Sequence, residues 1–172
     1  MHIIIDGYNM IRQLDTLRRS ERNSLEAGRR ALVRLVSLYK KKKGHKLTVV
    51  FDGWQSGSPF EEREFESGIS IIYSRLGERA DDVIKRIVRS KEEEVVVVTS
   101  DRDIISYVER KNVAAISPQN FEGRISDAQN RPDYFADTDD DEDNGVPGTK
   151  KKGPAKRLSR RKKNELAKMR KL

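Results

Sequence analysis

The run Val95-Val96-Val97-Val98 constrains the fold of this chain more than any other stretch. Successive side chains of a strand point to opposite faces, so four valines in a row place apolar surface on both. Such a strand needs cover above and below, as in a parallel sheet packed between helices. Residues 2–5, 47–51 and 69–73 share this character, and residues 113–116 form a last short strand. Helical periodicity separates them. Residues 20–43 carry Leu25, Leu32, Leu35, Val36, Leu38 and Tyr39 on one stripe, with Arg29, Arg30 and Arg34 over much of the rest and Gly44 as the stop. Residues 80–90 turn Val83, Ile84, Ile87 and Val88 inward, and residues 104–110 give another helix. The expected fold is α/β, a three-layer α/β/α sandwich with a central, mainly parallel sheet and right-handed crossovers. Residues 54–65 read as an exposed loop and residues 121–129 as a further short helix.

Charge divides the chain. From residue 150 onward there are twelve Lys or Arg and one acid, whereas the preceding residues carry 24 basic and 27 acidic side chains. The net charge of +8 therefore belongs to the tail. Just before it, residues 137–143 hold six acids in seven positions, followed by a Gly/Pro hinge. We read residues 1–135 as one domain, residues 136–149 as an acidic linker and hinge, and residues 150–172 as a basic, helical tail. Lys156, Arg157, Arg160, Arg161, Lys162 and Lys163 suit contact with RNA phosphates, with folding back onto the acidic stretch as the alternative. Cysteine is absent, which excludes disulfides and thiolate metal sites. There is neither a run of transmembrane length nor a signal-peptide layout, so a cytoplasmic protein without membrane attachment is expected.

Acids recur where the strands end. The first strand runs into Asp6-Gly7-Tyr8-Asn9, the second into Asp52-Gly53 and the fourth into Thr99-Ser100-Asp101-Arg102-Asp103. The third leads through Gly77-Glu78-Arg79-Ala80 to Asp81 and Asp82 at the head of a helix. In a parallel sheet these positions share one rim, where ligands collect. Several of these residues also suit plain structural duty: Ser100 and Asp101 as N-caps, Asp81, Asp82 and Asp103 as first-turn acids, and Asp52-Gly53 as a turn. Converging carboxylates repel and call for a counter-ion. Oxygen ligands without cysteine or a well-placed histidine favour Mg²⁺ or Mn²⁺, and a phosphodiester is the natural substrate of such a site. The Asn9 amide is suited to fix a carboxylate, water or phosphate oxygen, with Ser100 in a similar orienting role. Arg79 and Arg102 lie nearest the acids, and residues 40–43 with Arg75 and Lys85 extend a basic path. Tyr8 and Trp54 follow strand-end motifs, where an aromatic stacks on a base. Neither GxGxxG nor GxxxxGK[ST] occurs, which argues against dinucleotide- or nucleotide-driven chemistry.

The segments IIIDGYNMI, FDGW, GERADDVIKRIV and VVVVTSDRDI, in that order, resemble the YacP-like branch of the NYN-domain proteins, relatives of the PIN-domain nucleases. The resemblance covers residues 1–135. It implies a PIN-like sandwich, a compact acidic site for Mg²⁺ or Mn²⁺, and endoribonuclease activity. By motif, Asp6, Asp81, Asp101 and Asp103 match the acids taken as catalytic and metal-binding, with Asn9 beside them and Asp82, Asp52 and Ser100 as secondary candidates. The family also implies messenger RNA as substrate and the ribosome as partner. The alternatives are a non-catalytic RNA- or ribosome-binding protein of the same fold, and a phosphatase. The motif at Asp6 lacks the second nearby aspartate of an aspartyl-phosphate nucleophile.

Overall fold

The computed structural model describes residues 1–53, 58–90, 93–130, 167 and 172. Six strands, β1 (His2–Asp6), β2 (Lys46–Phe51), β3 (Glu62–Glu66), β4 (Ile69–Tyr73), β5 (Val95–Val98) and β6 (Ala114–Ile116), form one sheet in the order β3-β4-β2-β1-β5-β6. All neighbours are parallel except β3 and β4. The helices are α1 (Gly7–Gln13), α2 (Asp15–Glu21), α3 (Leu25–Lys43), α4 (Ala80–Arg89), α5 (Arg102–Arg110) and α6 (Pro118–Asn130).

The doubly apolar strands behave as their sequence requires. Val96 and Val98 join Ile3, Ile5, Val49 and Phe51 in an apolar layer closed by α1, α2, α3 and α6. Val95 and Val97 join Ile4 and Val50 in the opposite layer, closed by α4 and α5. At about 1.5–3 kcal/mol per buried aliphatic side chain, the two layers favour this parallel arrangement over any that leaves one sheet face in water. Strand β1 lies between β2 and β5 and is thus the point where the chain reverses its direction of travel across the sheet. At such a switch point the C-terminal strand ends open a crevice.

Three expectations are corrected. First, the chain enters α1 directly after Asp6, α2 follows, and the long helix expected from residue 20 begins only at Leu25, where the Ser24 hydroxyl accepts the Ala27 N–H at 3.0 Å. That cap is a Ser hidden among charged residues, so the apolar stripe alone misplaced the boundary. The stripe itself shifts too: Leu25 and Leu38 are exposed, while Gly28 and Val33 face the core. Second, residues 62–65 of the expected loop join Glu66 in the edge strand β3, with every residue exposed. Its pairing with β4 comes through the backbone across a tight turn, where Ser67 and Gly68 both have positive φ (52° and 79°). An edge strand of this kind shows no apolar alternation. Third, α6 starts three residues before the expected helix, at Pro118.

The acidic linker, Trp54 and the basic tail residues Lys156, Arg157, Arg160, Arg161, Lys162 and Lys163 lie outside the described residues. Leu172 is described: it is buried in the layer holding Tyr39, whose hydroxyl donates to the Leu172 carbonyl at 2.9 Å.

Gly7 has a packing reason. A Cβ there would meet the Phe51 ring at 2.5 Å and the Val50 carbonyl oxygen at 2.9 Å. Both are buried parts of β2, so the contact has no easy relief. Gly7→Ala should therefore lower stability by about 1–3 kcal/mol, read from urea denaturation midpoints. An unchanged midpoint would mean that Phe51 swings aside freely.

Candidate metal and phosphodiester site

Two strand ends are stitched together by side chains. Asp6 is the last residue of β1 and the N-cap of α1, its Oδ1 accepting the Asn9 N–H at 3.3 Å. Its Oδ2 accepts the Thr99 hydroxyl, from just beyond β5, at 3.0 Å. The Asn9 side-chain oxygen accepts both the N–H and the hydroxyl of Ser100, at 2.9 and 3.0 Å. With that oxygen engaged twice, the Asn9 NH₂ is the donor it can offer a ligand. Asp101 is the N-cap of α5: its Oδ1 accepts the N–H groups of Asp103 (2.7 Å) and Ile104 (3.2 Å), and its own N–H donates to Thr99 Oγ1 at 3.1 Å. Capping and site-building are thus the same act for Asp6 and Asp101. Asp81 occupies the first turn of α4.

These carboxylates open onto one cleft of about 460 Å³. Asp6, Asn9, Asp52, Asp81 and Asp101 line it, together with Tyr8, Arg12, Gln13, Leu25 and Arg29. Asp6 is buried at 8% exposure, and its carboxyl is pushed up from 3.8 to about 6. Burial is the main cause; the Asn9 N–H and the Thr99 hydroxyl pull the other way, while the charges of Asp81 and Asp101 add to the rise. The Asp81 carboxyl is raised by burial and by Asp101, and is eased by Lys85 and Arg79. Lys85 stands 3.9 Å from Asp81 Oδ2. The donor set is all carboxylate oxygen and its negative charge is under-neutralised, which fits a hard divalent cation. Among the described residues, no group of three or more His, Cys, Asp or Glu side chains is already gathered as a metal-holding set.

The remaining candidates distribute as follows. Ser100 holds Asn9 rather than lining the cleft. Asp82 and Asp103 are exposed, and neither lines the cleft. Arg79, exposed at the N-cap of α4, offsets part of the charge on Asp81. Arg102 is exposed on α5 away from the cleft lining. Tyr8 lines the cleft with its ring edge-on to Phe51 (centroids 5.3 Å apart) and its hydroxyl bonded to Arg29. Residues 40–43 sit at the far end of α3, roughly 16–21 Å along the helix from Arg29 at 1.5 Å per residue, and none of them lines the cleft. Arg12, Arg29 and Thr99 escaped sequence reading. Arg29 reads as one of several solvent-facing arginines of its helix, and Arg12 falls in a stretch to which the sequence pattern assigns no element. Thr99, a hydroxyl directly after a fully apolar strand, was the one readable signal.

A mainly parallel sheet between helical layers, with acids gathered at its strand ends, defines an NYN/PIN-like domain. NYN domains are generally nucleases, and nucleases of this class generally use divalent metals. The chain belongs to the YacP-like NYN domain family, which it matches over residues 3–171. It is similar to the uncharacterized protein YacP of Bacillus subtilis (strain 168), with 28% identity over 102 residues. That stretch spans 58% of this chain and 59% of the relative's length. Two crystal structures of Rae1 (YacP) from Bacillus subtilis share the fold. A mutant form superposes with a TM-score of 0.63 at 21% identity, covering 74% of this chain and 76% of that one. The other gives 0.61 at 20% identity and 75% coverage of each. No described helix is long and apolar enough to cross a membrane.

The raised Asp6 carboxyl has a stability consequence. A folded-state value of about 6 against 3.8 favours the fold below about pH 4, and that favour is lost as pH rises through 6. In EDTA, Asp6→Asn should thus be more stable than the parent at pH 7.5, by at most about 3 kcal/mol, with the gap closing towards pH 4.5. Urea denaturation at both pH values measures this. A variant less stable at pH 7.5 would show that the ionised Asp6 is well accommodated.

Proposed function

We propose that this chain is a divalent-metal-dependent endoribonuclease that hydrolyses RNA phosphodiesters, with messenger RNA on the ribosome as its setting. One observation carries the catalytic part: Asp6, Asp81 and Asp101, from three separate strand–helix junctions, line one cleft, where the charge of Asp101 holds protons on both Asp6 and Asp81 and that of Asp81 on Asp6. The messenger RNA and the ribosome are supported by the family resemblance, and the cytoplasm follows from them.

Asp6, Asp81 and Asp101 are the residues we assign to hold Mg²⁺ or Mn²⁺, with Asp52 in reserve on the same cleft. A bound divalent ion supplies an activated water and neutralises the charge that develops on the phosphate oxygens. The chain's own groups fix the geometry. Thr99 and the Asn9 N–H keep the Asp6 carboxylate oriented, and the α5 N-terminus does the same for Asp101. Ser100 holds the Asn9 amide with its NH₂ available to a phosphate or water. Asp103, exposed on α5, supplies Asp101 with a backbone N–H. In-line attack of water leaves a 5′-phosphate and a 3′-hydroxyl.

The competing reading is an RNA- or ribosome-binding protein without catalysis, in which Asp6 and Asp101 serve only as the N-caps of α1 and α5. Cleavage of end-labelled RNA, free and on translating ribosomes, with Mg²⁺, Mn²⁺ or EDTA, separates the two. The parent should cut only with metal. Asp6→Asn and Asp101→Asn should fall to background while remaining folded, and Thr99→Val should lose about 10- to 100-fold. Firm RNA binding without cutting on either substrate would hand the case to the binding reading.

A further inference from the structure

Arg29 sits where two concavities meet. It lines the acidic cleft and also a second cavity of about 460 Å³, formed by Gly53, Ser58, Phe60, Tyr73 and Ser74 and edged by Glu26, Glu62 and Glu64. Its guanidinium is held flat and firm. The carbon lies 5.1 Å from the Tyr73 ring centroid, 5.5 Å from Tyr8 and 5.6 Å from Phe51, and Nε donates to the Tyr8 hydroxyl at 2.9 Å. Three rings and a neutral oxygen leave the positive charge largely uncancelled. Its ion-pair partner Glu26 stands 3.8 Å from Nη1, beyond hydrogen-bond distance.

We propose that Arg29 clamps the RNA phosphate that links the nucleotide at the acidic cleft to its neighbour, whose base enters the second cavity; this rests on reading the cleft as a ribonuclease site. Both concavities carry carboxylates that repel phosphate, and Arg29 is the cation common to their walls. A strand running from one into the other is therefore least repelled with its linking phosphate on Arg29. The planar guanidinium suits two phosphate oxygens at once. Beyond it, Glu62 and Glu64 bar a phosphate yet accept N–H groups from a base edge. Phe60, 77% exposed at the cavity mouth, offers that base a stacking face. Adenine, with an exocyclic amine and a large ring, should be preferred there to uracil.

The test uses the full chain carrying Asp6→Asn, so that RNA survives, in EDTA, with single-stranded 12-mers of adenosine and of uridine. Their binding is followed across a range of KCl concentrations. Adding Arg29→Gln should weaken binding and reduce the slope of log K against log[KCl] by about 0.7, the loss of one phosphate contact. Phe60→Ala should weaken the adenosine 12-mer by roughly 5- to 100-fold, leave the slope unchanged and narrow the gap to uridine. A folded Arg29→Gln protein with unaltered slope and affinity overturns the clamp, because Arg29 then only pins α3 to the sheet. The Arg29 guanidinium ¹⁵N–¹H resonance of the Asp6→Asn protein, assigned by its absence in Arg29→Lys, gives an answer that needs no Gln variant. It should shift on adding RNA, and an unmoved resonance overturns the clamp. If the parent protein neither cuts nor binds RNA, the ribonuclease reading falls and the clamp with it. If it cuts while Arg29 proves indifferent, only the clamp falls.

Discussion

Everything in the proposed site depends on the joint between the ends of β1 and β5. Two side-chain contacts make it: Thr99 to Asp6, and Ser100 to Asn9. The strands are neighbours in register, with Ile5 opposite Val98, so the residues that follow each strand emerge side by side. Four consecutive buried valines hold β5 between the two apolar layers, and a one-residue slip would carry Glu94 or Thr99 into the place of a buried valine. The hydrophobic core thus sets the position of a polar joint that it does not touch.

The joint explains how acids can be crowded on one rim. Asp6 is buried, and each of its oxygens receives a hydrogen bond, yet its carboxyl still resists ionisation. Two donors are insufficient against burial and two neighbouring charges. Ionised Asp6 is therefore unfavourable for the chain alone, and the divalent cation we propose would offset that cost. Function and stability pull against each other at Asp6. Asp101 is placed differently: its Oδ1 takes two N–H groups at the head of α5, where the helix dipole is positive.

Much of this was legible from sequence because it follows from one-dimensional patterns. Doubly apolar strands required a covered parallel sheet, and strand-end acids required a shared rim. The motifs at Asp6, Asp81 and Asp101 were readable as motifs. What escaped depends on contacts distant in sequence. Arg29 is one arginine among several on α3, and only the packing of that helix against β2 and β4 brings it over three aromatic rings. The edge strand β3 carries no alternating apolar residues, since its partner is a backbone rather than a core. Nothing next to Gly7 in the sequence marks it as a packing position, because Phe51, 44 positions later, is what forbids a side chain there. Asp103 and Asp82 show the converse: a residue beside a motif is carried by helical geometry to the solvent face.

The central claim is that the buried Asp6 carboxylate, crowded by Asp81 and Asp101, awaits a divalent cation. Carboxyl ¹³C chemical shifts of Asp6, followed from pH 3 to pH 8 in EDTA and again in saturating Mg²⁺, test it most directly. The account predicts titration near pH 6 without metal and a fall below the ordinary aspartate value of 3.8 with it. A titration that Mg²⁺ leaves in place, or one already at the ordinary value in EDTA, would contradict it.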